Sequence, residues 1–195
     1  MKKDKREKRN KIIISIIIAV VMVSSIIGFL YGTNVSENEM KYDINNKTYS
    51  FVRQNNMYIL NLNKQKIGFY YLPFEIDLNI SDEISNKIKN SGVIYITFNP
   101  EMNNPEYIDV ARFDLATNFA MKNIYTINGI TNENVNYNLP IINCENATNF
   151  IPVIIMQESN TTNVNMTNNC ITMQGKNFDF IKFRDLIIYK LYGVL

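Results

Sequence analysis

A long apolar run directly behind a basic tail is the feature that most constrains this chain. Residues 12–30 are almost entirely apolar, and the eleven residues before them carry seven Lys or Arg against Asp4 and Glu7. About 20 apolar residues at ~1.5 Å rise per residue match the ~30 Å hydrocarbon core of a bilayer. The sequence therefore predicts a single transmembrane helix over residues 12–31.

The basic flank sets the expected orientation of that helix. Lys and Arg next to a span resist translocation, so we expect residues 1–11 in the cytoplasm and everything after Gly32 outside the cell membrane. A polar stalk over residues 32–40 would then lead to an extracytoplasmic domain over residues 41–195. A cleaved signal peptide is the alternative, but its apolar region usually has only about 7–15 residues and ends at an Ala-x-Ala-like site. This run is longer and lacks that site, which favours a retained signal anchor.

The charge of the expected outer domain differs from that of the whole chain. The chain has 20 Lys and Arg against 18 Asp and Glu, but the tail holds seven of the bases and two of the acids. The remaining 13 bases and 16 acids leave about −3, which argues against a nucleic-acid partner. The expected partners are the lipid bilayer, through residues 12–31, and an unknown protein or cell-surface component.

Strand and helix patterns alternate along residues 41–195 and predict one α/β (α+β) domain with a mixed sheet. Its N-terminal part is a β-meander, and its C-terminal part is an amphipathic helix with a wide apolar arc from Phe178 to Leu191. The expected strands are Thr48–Arg53, Met57–Asn63, Ile67–Leu72, Val93–Phe98, Ile124–Ile130, Val153–Gln157, Thr162–Met166 and Cys170–Gln174. The expected inner helices start at Ser81, with its capping hydroxyl, and at Pro105, and a short turn or helix starts at Cys144.

The order of these elements over residues 67–192 resembles the thioredoxin fold. Where thioredoxins carry Cys-x-x-Cys, this chain reads Asn99-Pro100-Glu101-Met102, so dithiol exchange at that position is excluded. Pro152 stands where thioredoxins have a cis-proline before a strand. The resemblance thus implies a peptide-binding groove near Pro152 without the usual chemistry.

Two short phrases carry a second resemblance. Cys144-Glu145-Asn146-Ala147-Thr148 and Pro152-Val153-Ile154 resemble a group of uncharacterised membrane-anchored archaeal proteins. This likeness implies an anchored outer domain and no particular activity.

Cys144 and Cys170 are the only cysteines of the chain, and both fall on the expected outer side, where disulfides persist. We predict a structural disulfide between them, with two free thiols or a redox-active pair as alternatives. In a plain thioredoxin-like sheet the two residues would lie at opposite ends. The bridge becomes possible if Thr162–Met166 is an extra strand that returns the chain to the same end.

The sequence contains no recognisable catalytic or metal-binding motif. The chain has no His, which removes the usual base for a Ser or Cys nucleophile and the commonest metal ligand. Its seven glycines form no phosphate-binding loop. The acids show no calcium-loop spacing and are interpreted as surface charges and helix caps: Asp77, Asp82, Glu83, Glu101, Glu106, Asp109, Asp114 and Glu145. A glycosidase is left open, because its two carboxylates can be far apart in the chain.

These observations favour a membrane-tethered binding or interaction module that is not an enzyme. We assign no catalytic, cofactor-binding or metal-ligating residue and expect no cofactor. The alternative is a thioredoxin-like domain that lacks the dithiol site but still binds or acts on extracytoplasmic polypeptides, with Cys144 as a lone reactive thiol.

Overall fold

The computed structural model describes residues 15–25 and 39–195. Residues 15–25 are helical and are called helix α1. Within the described residues, no helix is both long and apolar enough to cross a membrane. The expected cytoplasmic tail, the two ends of the transmembrane segment and nearly all of the stalk lie outside the described residues. Residues Met40–Leu195 form a compact unit of their own.

The unit begins with an antiparallel sheet of four strands in the order β1-β2-β3-β4. Its strands are β1 (Glu39–Ile44), β2 (Lys47–Gln54), β3 (Met57–Leu62) and β4 (Gln65–Phe69). Three of these strands are expected from the sequence, and β1 is not. The side chains of β1 alternate only between exposed and half-buried, so its apolar pattern is weak.

Asparagine makes the turns of this meander. Each connection has two residues with positive φ, the backbone of the tight turns that match the twist of paired strands. Asn tolerates this left-handed region better than other side chains, because it bonds locally to the backbone. The pairs are Asn45 and Asn46 (φ 51° and 61°), Asn55 and Asn56 (49° and 61°), and Asn63 and Lys64 (51° and 67°).

A second sheet has five strands in the order β6-β5-β7-β9-β8. Its strands are β5 (Val93–Phe98), β6 (Tyr125–Ile130), β7 (Val153–Glu158), β8 (Asn163–Thr167) and β9 (Cys170–Gly175). All neighbours are parallel except β8, which pairs antiparallel with β9. The expected mixed sheet is therefore present. The continuous apolar runs of β5 and β7 suit strands that are covered on both faces.

Three helices cover one face of the five-strand sheet. They are α2 (Asp82–Lys89), α3 (Glu106–Ala120) and α4 (Phe178–Tyr192). The Ser81 hydroxyl caps α2 by accepting a hydrogen bond from the backbone N–H of Ile84 at 3.3 Å. Gly193, at φ 71°, ends α4 in the left-handed conformation that glycine adopts without strain. Two single 3₁₀ turns, Pro73–Glu75 and Cys144–Asn146, complete the elements.

Helix α4 differs from the expected amphipathic helix, because nearly all of its circumference is buried. Only Phe178, at its first turn, is a largely exposed apolar residue of the predicted arc. Asp185, a charged residue interspersed among the apolar positions of this helix, lies on a side that is fully buried. The four-strand sheet packs on that side: the ring of Tyr189 stacks on Phe69 with centroids 3.8 Å apart. A helix between two sheets needs apolar residues all round.

The strand expected at Ile67–Leu72 ends at Phe69 and pairs with β3, in the four-strand sheet. Its ladder stops there because the next two backbone N–H groups, of Tyr70 and Tyr71, donate to the carboxylate of Asp185 at 2.8 and 2.7 Å. The acid on α4 thus takes the donors that another strand would have used.

Candidate functional site

The chain leaves strand β5 and strand β6 in opposite directions across the five-strand sheet. From β5 it passes through α3 to β6, and from β6 it returns past β5 to β7 on the other side. The returning segment crosses the face opposite the helices, where Ile142 packs with Val153 and Ile155. In open α/β sheets, ligands bind outside the carboxyl ends of the strands where the order reverses in this way.

Close contacts hold that crossing segment on the sheet. The Thr97 hydroxyl donates to the carbonyl oxygen of Ile142 at 2.8 Å, and the N–H of Ile142 donates to the carbonyl of Ile130 at 2.9 Å. A Cβ atom on Gly129 would lie 2.8 Å from the Ile142 side chain, so only glycine allows this approach. The segment is therefore fixed beside the carboxyl ends of β5 and β6.

Asn99 joins the two loops that follow β5 and β6. Its side-chain oxygen accepts hydrogen bonds from the backbone N–H of Glu101 at 3.0 Å and from the side-chain amide of Asn132 at 3.2 Å. One loop carries Glu101, and Glu133 follows Asn132 in the other. These two hydrogen bonds hold the loops together and so place Glu101 and Glu133 at one edge of the sheet.

A cleft of about 660 Å³ opens at this edge, and we call it the carboxyl-edge cleft. Its wall combines carboxylates and amides with apolar side chains, of which Val135 is fully exposed and Ile141 half exposed. The lining residues are Glu101, Ile130, Glu133, Asn134, Val135, Tyr137, Asn138, Leu139 and Ile141.

Tyr137 fastens the loop that forms most of this cleft. Its ring lies edge-on to Phe98 with centroids 5.1 Å apart, and its hydroxyl donates to Asp109 at 3.2 Å. Asp109 also pairs with Arg112 at 2.7 Å, and the Arg112 guanidinium lies 5.3 Å from the ring of Phe98. Burial, followed by the nearby Asp109 charge, raises the pKa of Tyr137, so its hydroxyl stays a donor at neutral pH.

Two acidic side chains that line the cleft have no ion-pair partner among the described residues. Glu101 and Glu133 are exposed, and neither forms an ion pair within the described part of the chain. The nearby Arg112 is already engaged by Asp109. Glu158, at the end of β7, accepts hydrogen bonds from Asn103, which lower the pKa of its carboxyl. Glu106 lies in the first turn of α3, so the N-terminal end of that helix is acidic as well.

The two cysteines are joined in the structure. Cys144 and Cys170 form a disulfide with their Cα atoms 5.3 Å apart. The bridge is possible because β8 is an additional strand, as the sequence required for this pairing. It returns the chain to the start of β9, where Cys170 lies. The bridge ties the crossing segment to the sheet, at the end away from the cleft.

Pro152 lies directly before β7 and is buried. Its carbonyl oxygen accepts the backbone N–H of Tyr95 at 3.0 Å, so this residue extends the pairing of β7 with β5. The described residues contain no cis peptide bond. Pro152 is absent from the residues that line the carboxyl-edge cleft.

A buried ionic cluster in the centre of the unit escaped the sequence analysis. Arg184 pairs with its neighbour Asp185 and, at 3.1 Å, with Asp114 of α3, and it donates to the carbonyl of Gly68 at 2.7 Å. Desolvation raises the pKa of Asp185 to about 6, against the opposing effect of Arg184 and of the two N–H donors. The available signal was the adjacent Arg and Asp in the middle of a largely apolar helix.

The acids singled out in the sequence are dispersed in the structure. Four of them are ion-paired: Asp77 with Lys182, Asp82 with Lys190, Asp109 with Arg112, and Asp114 with Arg184. Among residues 15–25 and 39–195, no group of three or more acidic, His or Cys side chains is arranged to hold a metal ion.

Comparison with known proteins identifies no relative of this chain. No protein-family model, no curated protein and no solved structure matches the chain.

Proposed function

We propose that residues 41–195 act as a binding module, held outside the cell membrane by residues 12–31, and that its ligand site is the carboxyl-edge cleft. One observation carries this proposal: where the strand order reverses, the cleft places exposed apolar side chains beside carboxylates that no cation among the described residues pairs. Exposed apolar surface beside polar groups is typical of binding sites. The tether rests on the length of the apolar run and on its basic flank.

The chemistry of the cleft favours binding over turnover. Its lining has no Ser, Thr, Cys or His that could attack a substrate, and the chain has no His at all. Catalysis by a hydroxyl or thiol nucleophile needs such a side chain and an adjacent base. A glycosidase would instead use a pair of carboxylates such as Glu101 and Glu133, and it is the catalytic alternative to this proposal. Under the proposal, purified protein retains its ligand unchanged, and detection of turnover at the cleft, glycoside hydrolysis included, would defeat it.

A thioredoxin-like module without a dithiol site is the competing proposal. It would bind polypeptides in a groove near Pro152 and would use Cys144 as a reactive thiol. Two observations favour the carboxyl-edge cleft over it: Cys144 is bonded to Cys170, and Pro152 is buried within the strand pairing.

Site-specific photo-cross-linking tests where the partner binds. A photoreactive amino acid at Val135, on the rim of the cleft, should give a few defined cross-linked products in intact cells. The same group at Lys89, an exposed residue in the last turn of α2, is the matched control. A charge reversal, Glu133→Arg, should remove the products formed at position 135. Equal patterns at both positions, or none at 135, would contradict the proposal.

Protease accessibility tests the location. Protease added to intact cells should remove residues 41–195 and leave the tail of residues 1–11 protected. Protection of the whole chain until the membrane is permeabilised would show that the orientation is wrong.

A further inference from the structure

The carboxyl-edge cleft also indicates the chemistry of its ligand, and this step rests on the proposed function. We infer that the cleft binds a Lys- or Arg-bearing segment of a partner polypeptide, with the carboxylates of Glu101 and Glu133 receiving the cationic group.

Charge is the first argument. Glu101 and Glu133 line the cleft, and Glu106 and Asp109 lie in the first turn of the adjacent helix α3. Arg112 is the cation of this helix, and its guanidinium is occupied by Asp109 and by the ring of Phe98. An anionic ligand would meet repulsion at this edge, whereas a cation would find two carboxylates that have no ion-pair partner in the described part of the chain.

The apolar wall is the second argument. Lys and Arg carry an aliphatic stem that covers apolar surface while the charged head stays near water. The cleft offers such a surface on Val135, Leu139 and Ile141, next to the two carboxylates. A small hydrophilic cation would leave these side chains uncovered.

The shape of the cleft is the third argument, and it selects a chain over a single small group. A volume of about 660 Å³ exceeds what one side chain fills. The fully exposed Val135 and the half-exposed Ile141 leave the cleft open, so a polypeptide can enter and leave. The amides of Asn134 and Asn138 supply donors and acceptors for the backbone of such a segment.

The two loops are held before any ligand arrives. Asn99 fixes the loop of Glu101 to the loop of Glu133, and Tyr137 fixes the latter to Phe98 and Asp109. A site whose side chains are already positioned loses less conformational freedom when it binds.

Fluorescence anisotropy with synthetic peptides tests this inference. The full chain would be placed in nanodiscs of phosphatidylcholine, which carry no net charge to attract the probe. The probe is a labelled peptide with alternating Lys and Leu residues, and the matched probe is the same peptide with every Lys acetylated. We expect the acetylated peptide to bind at least about tenfold more weakly, since it keeps the stem and loses the charge. Binding of the Lys peptide should weaken as salt is raised.

Substitutions locate the interaction. Glu101→Gln and Glu133→Gln keep the shape of the cleft and should each weaken binding of the Lys peptide by about three- to fivefold, as expected for an exposed charge pair. Glu83→Gln, an equally conservative change on the exposed face of α2, should leave binding unchanged.

Each other outcome overturns the inference. Equal binding of the two peptides, no binding of the Lys peptide up to millimolar concentration, or equal weakening by Glu83→Gln would show that the ligand is not a basic segment held by Glu101 and Glu133. The cross-linking experiment at Val135 would still decide independently whether the cleft is a binding site, so failure of the ligand class and failure of the proposed function are distinguishable.

Discussion

Arg184, in the middle of α4, donates a hydrogen bond at 2.7 Å to the backbone carbonyl of Gly68 in β4. One side chain of the central helix therefore holds the last strand of the four-strand sheet, and the same guanidinium pairs with Asp114 and Asp185. These contacts link the meander to α3 and α4. Arg184 and Asp185 are both buried, so removing Arg184 leaves the Asp185 carboxylate without a compensating cation.

Replacement of Arg184 by Met tests that link. Arg184→Met keeps an unbranched side chain but leaves the buried Asp185 carboxylate without its cation. We therefore expect the free energy of unfolding to fall by about 3–5 kcal/mol. Urea unfolding followed by near-ultraviolet circular dichroism measures the loss. Arg53→Met, at an exposed position of β2, is the control and should change stability by less than about 0.5 kcal/mol. Equal effects of the two changes would show that the buried cluster does not support the fold.

The stability of the unit should depend on pH through Asp185. Its pKa is about 6 in the folded protein, raised by burial from an ordinary value of 3.8. Between these values the folded state holds the proton more tightly than the unfolded chain, so the contribution of this group to stability falls as pH rises through the window. The size of the change follows from about 1.4 kcal/mol per pKa unit and is about 3 kcal/mol.

Asp185→Asn isolates this titration from that of other carboxylates. The stability difference between the native protein and the variant should be largest near pH 4 and should shrink until about pH 6–7. Urea unfolding at each pH gives the two curves. A difference that grows with pH would mean that Arg184 and the two N–H donors outweigh desolvation and lower the pKa of Asp185.

The disulfide should stabilise the unit without taking part in chemistry. The bridge closes a sequence separation of 26 residues. In the chain-entropy model a loop of that length is worth about 3–4 kcal/mol, and the double substitution Cys144→Ser with Cys170→Ser should remove it. Thiol titration of unfolded, non-reduced protein should find no free thiol. Two reactive thiols would reopen the redox hypothesis.

The Asn turns of the meander predict effects of opposite sign at one position. Asn56 lies at φ 61° in the turn between β2 and β3. Asn56→Ala should cost about 1–2 kcal/mol, because a Cβ without local hydrogen bonding is strained in the left-handed region. Asn56→Gly removes that strain and should be neutral or slightly stabilising. Thermal unfolding of the pair measures the difference, and a more stable Ala variant would contradict the turn.

Most individual elements were predictable because they depend on local chemistry. The run Val93–Phe98 is β-prone and apolar except for Thr97, and it forms β5 with those bounds. Ser81 has a short hydroxyl before two acids and caps α2. The predicted pieces around residues 162–166 and 170–174 became the hairpin of β8 and β9, which puts Cys170 within reach of Cys144. Such signals act over a few residues, so they can be interpreted without knowing the rest of the fold.

The carboxyl-edge cleft was only partly accessible from the sequence. Glu101 was noticed as one of several dispersed acids, and Glu133 fell in a loop that looked simply polar. The cleft forms because the connection after β6 passes behind β5. It also depends on the hydrogen bond between Asn99 and Asn132, which are 33 residues apart in the chain and belong to different loops. Strand order depends on packing between distant segments, and periodicity along the chain contains no information about it.

The sequence by itself determined the apolar run with its basic flank, the alternation of strands and helices, the Asn turns and the two cysteines. Only the tertiary structure decided that α4 lies between two sheets. The burial of Asp185 shows why: the pattern around it is apolar with interspersed charges, which suits a surface helix as well as a buried one. Asp185 is stabilised in its buried position by Arg184 and by the backbone N–H groups of Tyr70 and Tyr71, which donate to its carboxylate. The two tyrosines lie more than 100 residues before Arg184 in the chain.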